Sequence, residues 1–524
     1  MNDHAGKSGG SPVNSESKKP GGGMSRRDFV KYSAGTVACI YLGALNTGCG
    51  GGTTTTGNFP VAVFSDVHFD PFYDPDLVSV LVEENDTDKW AGIFQKSGLG
   101  PSAGGGDTNY PLLVLALAGI KQNLGASPLV IYTGDILGHG IPQMFYAYYY
   151  GNLGVPVPDA ATIAADATAV AAMKTFTDNT VTFFMNQVRA AVGNVPVMFA
   201  VGNGDSYSGA GPNVLDSNTF APDNSFLVNT AGLFYTKFLN ASVDHQEFLN
   251  TFTTAGYYSA EPAGTNLMVI ALNTILFCQL FSSGQDANNS IVAAELDWLD
   301  SRLAAAAVKG KKVWLLMHAP PGADIGTTAK PANVDSSGHI TTATMEWWPA
   351  YQARFLQILS NYPGIISMTL AGHTHMDEYR ILPSADALEI TPSISPWFGN
   401  NPAFKVFTIS RDTLKPTDYS SLNCDLANPV QFNSYYTFST AYSSQGLLGE
   451  SLTQLTPALV TNSAKQALYR GFYFSGNNSL KQVTYPIFGN SYDPITDTTW
   501  PVYWSGIGHM EEADIVTSVN NYPA

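Results

Sequence analysis

Six short apolar runs rich in β-branched residues recur along this chain, and each gives way at once to a polar cluster. They are Val61–Phe64, Leu129–Tyr132, Val197–Val201, Leu267–Leu272, Val313–Met317 and Ile365–Leu370. Unbroken apolar runs of this length predict strands buried on both faces, which a chain achieves by covering a sheet with other layers. Helix-like stretches lie between them at Leu112–Leu124, Ala160–Val192 and Ala293–Ala307, the last carrying Leu296, Leu299 and Leu303 at spacings of three and four. The alternation predicts an α/β layered domain, with Leu388–Thr391 and Phe404–Ile409 completing its sheets. Two stretches, Asp86–Asn109 and Ser206–Asn224, read as loop insertions, and Phe145–Tyr150 as the end of an element ahead of Pro156 and Pro158. After Leu414 the pattern changes: Ser451–Arg470 predicts a helix, and the tail is rich in Asn, Tyr and Pro. The expected organisation is a main domain over 60–414 and a smaller, mainly helical C-terminal subdomain over 415–524.

The charge balance narrows the function classes. With 42 acidic against 25 basic residues the net charge is −17, which argues against nucleic-acid binding through a basic face. Hydrophobic residues at 44% exclude a disordered chain, and four cysteines are too few for a disulfide scaffold. Only Cys278 and Cys424 lie in the body, which allows at most one internal disulfide.

The first fifty residues have their own logic. Residues 1–23 read as a disordered leader, followed by Ser25-Arg26-Arg27-Asp28-Phe29 and a mildly apolar run from Tyr32 to Leu45. Paired arginines before a run too short to span a bilayer are similar to a bacterial twin-arginine export signal. Cys49 closes the segment as a candidate lipid anchor, although Asn46 stands three before it where a branched residue is expected. Residues 53–59 follow as a tether. The expectation is an exported protein, periplasmic or extracellular, with anchoring through Cys49 left open.

Functional groups in open α/β sheets gather beyond the carboxyl ends of the strands. Five runs deliver metal-type ligands there: Asp66 and His68 after the first, Asp135 and His139 after the second, Asn203 and Asp205 after the third, His318 after Val313–Met317, and His373 and His375 after Ile365–Leu370. Each cluster alone is ordinary turn chemistry. Together they place five of nine histidines at strand ends.

This ordered set resembles the calcineurin-like metallophosphoesterases, whose pattern is Asp-x-His, Gly-Asp, Gly-Asn-His, a lone His and Gly-His-x-His. It resembles more closely their acid sphingomyelinase-like branch, through Asp66-Val67-His68-Phe69-Asp70-Pro71, Leu296-Asp297-Trp298-Leu299, His318-Ala319-Pro320-Pro321-Gly322, Gly372-His373-Thr374-His375-Met376-Asp377-Glu378-Tyr379 and Asn401-Pro402-Ala403-Phe404. The resemblance runs from roughly Pro60 to Leu414. It implies a layered β-sandwich flanked by helices and two divalent metal ions, zinc first, with manganese or iron as alternatives; mixed imidazole, carboxylate and amide ligands do not suit calcium. Asp66, His68, Asp135 and His375 are then expected to hold one ion, and Asp135, Asn203, His318 and His373 the other, with Asp135 bridging.

The implied reaction is hydrolysis of a small phosphate ester by a metal-bridging hydroxide. Two divalent ions outweigh the two carboxylates, so the site still attracts a phosphate oxyanion within an acidic protein. One departure concerns the third motif, where Gly204 stands in the family's histidine position. The branch carries a histidine four residues after the bridging Asp, so His139 is the expected proton donor. A second departure is that the first catalytic motif begins within ten residues of the tether. That leaves no room for a saposin-like lipid-presenting domain before it, and it shifts the expectation toward soluble phosphodiesters. A phosphomonoesterase or nucleotidase on the same site, and a non-catalytic phosphate-binding lipoprotein, are the competing readings. Asp70 and Asp377 are candidates for orienting ligand histidines. Trp347-Trp348 with Tyr351 is expected to pack the core, and Tyr146, Tyr148, Tyr149 and Tyr150 to wall a pocket or be buried.

Overall fold

A computed structural model describes residues 57–208, 226–239, 242–280, 290–383, 387–477, 483–484, 491–492 and 494–523. The leader and export signal expected over 1–52, Cys49 and most of the tether lie outside the described residues, as does most of the insertion at 206–224.

The eight predicted strands form as β1 (Asn58–Phe64), β2 (Val130–Tyr132), β3 (Val197–Phe199), β5 (Leu267–Ala271), β6 (Lys312–Leu316), β7 (Ile366–Ala371), β9 (Leu388–Ile390) and β10 (Ala403–Ser410). Four further strands join them: β4 (Tyr258–Ala260), β8 (Glu378–Arg380), β11 (Pro416–Asn423) and β12 (Asn433–Thr437). They build two six-stranded sheets, ordered β12-β11-β10-β1-β2-β3 and β4-β5-β6-β7-β9-β8. The neighbouring strands β1, β2 and β3 run parallel, as do β5, β6, β7 and β9.

The period-2 geometry of the strands sets the layers. Along β6, Trp314 and Leu316 join the large core shared with Val61, Val63 and Ile131 of the first sheet. Val313 and Leu315 point the other way, into a second core with Leu296, Leu299 and Leu303 of the helix Ser290–Val308 and Phe355 and Leu359 of the helix Pro349–Ser360. Both faces of the strand are therefore covered, which is why these runs are continuously apolar. Each such side chain, moved fully out of water, stabilises the layers by about 1.5–3 kcal/mol.

Several expectations need correction. The predicted helix over Ala160–Val192 is two helices, Ala160–Ala165 and Ala167–Val192, because the Asp166 carboxylate caps the second by accepting from the backbone of Thr168 and Ala169. The helix expected over Ser451–Arg470 is likewise split at Asn462, whose side chain accepts from the Lys465 amide. The insertion at Asp86–Asn109 carries a short helix, Trp90–Phe94, and Phe145–Tyr150 lies inside the helix Ile141–Asn152. The tether is shorter than expected, since Asn58 and Phe59 already pair with Ser410 and Ile409.

A boundary after Leu414 is not a break in the sheet. β11 pairs with β10 along its whole length and β12 pairs with β11, so residues beyond 414 extend the first sheet before turning helical. Cys278 and Cys424 are both buried free thiols, so the one disulfide that counting allowed is not formed.

Candidate metal centre

The parallel strands all end on one side, and their following turns converge. Five of the turn residues, Asp66, His68, Asp135, His373 and His375, have φ between 45° and 73°. That left-handed backbone is costly for residues other than glycine, by roughly 1–3 kcal/mol each, and such strain concentrates at functional sites. Here it turns carboxylates and imidazoles inward from successive strand ends. Glycines make room for them. A Cβ on Gly372 would lie 2.0 Å from Ser65 Oγ and 2.7 Å from Asp66 Oδ2, and one on Gly134 would lie 2.6 Å from His318 Nδ1.

Asp66, His68, Asp135, Asn203, His318 and His375 are all buried, with His373 half-buried at the rim. Asp135 Oδ2 lies 3.2 Å from Nε2 of both His68 and His318, so one carboxylate oxygen touches both halves of the cluster. Asp66 Oδ1 lies 3.5 Å from His375 Nε2 and 3.9 Å from His318 Nε2. Asn203 Oδ1 sits 3.0 Å from His318 Nε2 and 2.9 Å from His373 Nδ1. The structure thus brings all seven sequence-predicted ligand residues together.

Ring orientation shows what the cluster is built to hold. His68 Nδ1 donates to the Leu137 carbonyl at 3.0 Å, and His318 Nδ1 to the Thr133 carbonyl at 2.7 Å. In the neutral rings these bonds leave the lone pair on Nε2, facing inward. His68 and His375 then bring their Nε2 atoms within 3.1 Å of each other, a contact that makes sense around a shared cation. The electrostatics agree. Burial opposes protonation of His68, but the Asp135 carboxylate outweighs it and pushes the imidazole up to about 10; His318 is pushed up to about 9 in the same way. Burial would likewise raise Asp135, yet the His318 and His68 charges hold its carboxyl well below the ordinary range. The pocket attracts positive charge, and its mix of imidazole nitrogen, carboxylate and amide oxygen fits borderline divalent metals.

Sequence reasoning missed Glu346, Trp397 and Asp107, and it placed Asp205 at a strand end without its role. Asp205 accepts from the backbone of Asp135, Ile136 and Gly202, tying the turns after β2 and β3 together. Glu346 lies 3.5 Å from His373 Nε2, on the ring edge opposite Asn203. Trp397 stacks on His139 with ring centroids 4.4 Å apart, and Asp107 sits at Nδ1 of the same ring. The expected orienting role of Asp377 is not observed: Asp377 instead pairs with buried Lys405 at 2.9 Å and accepts from Ser421 and Tyr436. Asp70 accepts from the Phe72 amide in its own turn.

Gly204 contributes through its backbone, whose N–H donates to Asp135 Oδ1 at 2.6 Å. His139 lies across the cluster, its ring stacked on His68 at 4.0 Å. Trp347 is fully buried and packs in the second core, as expected. Among the tyrosines, Tyr150 is buried, while Tyr146 and Tyr149 pack partly buried against the large core.

The fold and this cluster define a metal-dependent phosphoesterase. The chain is 25% identical over 402 residues to Sphingomyelinase phosphodiesterase D of Dictyostelium discoideum, spanning 72% of this chain and 76% of that protein. It is 24% identical over 396 residues to the Cyclic GMP-AMP phosphodiesterase SMPDL3A of Mus musculus, spanning 71% and 75%. Human Sphingomyelin phosphodiesterase aligns at 26% identity over 42% of this chain and 31% of its own length. A solved dimetal phosphatase from Danio rerio superposes with a TM-score of 0.36 at 15% identity, covering 72% of this chain and all of that one. No protein-family model matches. The motif order and the similarity to these phosphodiesterases support the calcineurin-like metallophosphoesterases, and within them the acid sphingomyelinase-like branch, as the family that this chain resembles.

Proposed function

We propose that this protein is an exported phosphodiesterase that hydrolyses small phosphate esters with two divalent metal ions. The observation that carries the reading is the inward convergence of three histidine Nε2 atoms on two buried carboxylates, with two of the rings pinned by Nδ1 bonds to backbone carbonyls. Asp66, His68, Asp135 and His375 would hold one ion, and Asp135, Asn203, His318 and His373 the other. When bound, the pair supplies an activated water and neutralises charge building on the phosphoryl oxygens.

The chain's own residues do the rest. Burial of the cluster excludes bulk water and strengthens every charge interaction within it. Gly204 N–H holds Oδ1 of Asp135, so that the shared carboxylate keeps one orientation with Oδ2 turned toward the histidines. His139, at the rim beside His68, is the group that gives a proton to the departing alcohol. Zinc is the metal we favour, with manganese or iron as alternatives. Export rests on the paired arginines Arg26 and Arg27 ahead of the short apolar run, and Cys49 is a candidate anchor.

Turnover of bis-(p-nitrophenyl) phosphate and of p-nitrophenyl phosphate, measured with added Mn or Zn, tests the reading. Preferential turnover of the diester is expected. A preference of orders of magnitude for the monoester would replace the diesterase by a phosphomonoesterase on the same site.

A further inference from the structure

We propose that the helices Trp500–Gly508 and Glu512–Asn520 hold a binding site for an alkylated ammonium group, in a cavity walled by Trp504, His509 and Tyr522 and lined by the Asp514 carboxylate. The site uses no residue of the metal centre and does not rest on the phosphodiesterase reading.

The two helices are joined by the turn His509-Met510-Glu511, and Ser505 Oγ and Ser518 Oγ, 2.9 Å apart, tie them together. Between them and the residues that follow opens a cavity of roughly 350 Å³, at the small end of the range of small-molecule sites. Trp504 is shared by the other two rings. The Tyr522 ring lies 5.4 Å from it at 67°, and the His509 ring lies 6.4 Å from it at 65°. Rings so steeply inclined to the indole form a corner and not a stack. All three are half-buried, so part of each stays open.

The corner is built before any ligand arrives. Trp504 Nε1 donates to the Thr456 carbonyl at 2.8 Å, and His509 Nδ1 donates to the Ser505 carbonyl at 2.9 Å. The Tyr522 hydroxyl accepts from Trp500 Nε1 at 2.8 Å. Walls that are already fixed lose little freedom on binding.

Charge points to a cation. An aromatic face attracts positive charge, and indole does so best. Asp514 adds an exposed carboxylate that makes no ion pair among the described residues, and neither Lys nor Arg lines the cavity. The lining also selects the kind of cation. A primary ammonium would exchange its water for hydrogen-bond acceptors that an aromatic corner does not supply. An alkylated ammonium has no such need, and its methyl groups suit the ring faces. A metal ion is a poor fit, because a single carboxylate beside three rings makes no oxygen cage. The recognised chemistry is therefore a trimethylammonium head, carried by a free small molecule or by a lipid.

Choline binding to the full chain, read by isothermal titration calorimetry and by saturation transfer to the choline methyl protons, tests the assignment. Dimethylbutanol, with carbon in place of the charged nitrogen, should bind about tenfold more weakly than choline. Ethanolamine, the primary ammonium, should also bind more weakly. Trp504→Leu keeps an apolar side chain without the π face and should weaken choline binding by about tenfold. Asp514→Asn, exposed and of the same shape, should weaken it by about threefold. If Trp504→Leu fails to fold, Asp514→Asn and the uncharged isostere decide. Co-sedimentation with phosphatidylcholine vesicles that Asp514→Asn weakens would assign the head to a lipid; choline binding without co-sedimentation would assign it to a free cation. No saturation transfer with choline up to about 10 mM would overturn the site. So would equal binding of dimethylbutanol or ethanolamine, or choline binding unchanged in Asp514→Asn.

Discussion

At the scale of single residues, the site depends on atoms that are missing as much as on those present. Gly372 has to be glycine, because any Cβ there enters the space of Ser65 Oγ and Asp66 Oδ2. Gly372→Ala should therefore push Asp66 off its position and destabilise the fold by about 1–3 kcal/mol. Chemical denaturation and metal content measure the two effects, and a variant that binds metal like wild type would show that the turn relaxes freely. The ligand residues were legible in the sequence because each follows directly on an apolar run, so a strand end could be read as an address. Asp107 and Glu346 were not. Their neighbours carry no pattern, and they reach the site across loops from positions distant in sequence.

At the scale of elements, the same reasoning separates what periodicity reveals from what it hides. Apart from β10, whose second half alternates buried and half-buried residues, the predicted strands are buried on both faces over their apolar runs. β4 (YSA) and β8 (EYR) carry polar side chains within their three residues, and β11 (PTDYSSLN) alternates polar residues after a proline, so none produces such a run. The split helices were hidden for another reason: apolar spacing continues through Asp166 and Asn462, and only a side-chain cap interrupts the backbone. The helix Ser290–Val308 carries a testable anomaly on its inward face. Glu295 is fully buried; Oε1 accepts from Asn273 N at 2.8 Å, and Oε2 has no hydrogen-bond partner among the described residues. Burial pushes this carboxyl well above the ordinary range. The native state therefore retains a proton that the unfolded chain has lost. Its contribution is fully present below the unfolded pKa and is lost as pH rises toward the raised native value. Glu295→Gln keeps the acceptor and removes the titration. Its melting temperature should exceed that of wild type increasingly from pH 5 to pH 8, and a pH-independent difference would contradict this account.

At the scale of the whole molecule, the C-terminal residues serve the fold of the catalytic layers as well as forming helices of their own. β10 lies between β1 and β11, and the Phe407 ring packs on Tyr419 at 5.4 Å. A chain ending at Leu414 would expose the full edge of β10 and its unpaired backbone groups, a template for aggregation. Expressed alone, that truncation should appear in aggregates on size-exclusion chromatography; a monomeric, cooperatively folding product would show the C-terminal strands to be dispensable. Charge also acts at this scale. Residues 1–52 hold six basic and three acidic side chains, so the remainder carries a net −20. An acidic body that works on anionic esters needs its positive charge supplied locally, at the strand ends where Asp66 and Asp135 are buried among histidines. The account is tested most directly by titrating Mn into metal-free protein while recording the initial rate of bis-(p-nitrophenyl) phosphate hydrolysis. It predicts a rate that rises until about two equivalents per chain are bound and is absent at every ratio in Asp135→Ala. A rate indifferent to added metal, or one that survives in Asp135→Ala, would contradict it.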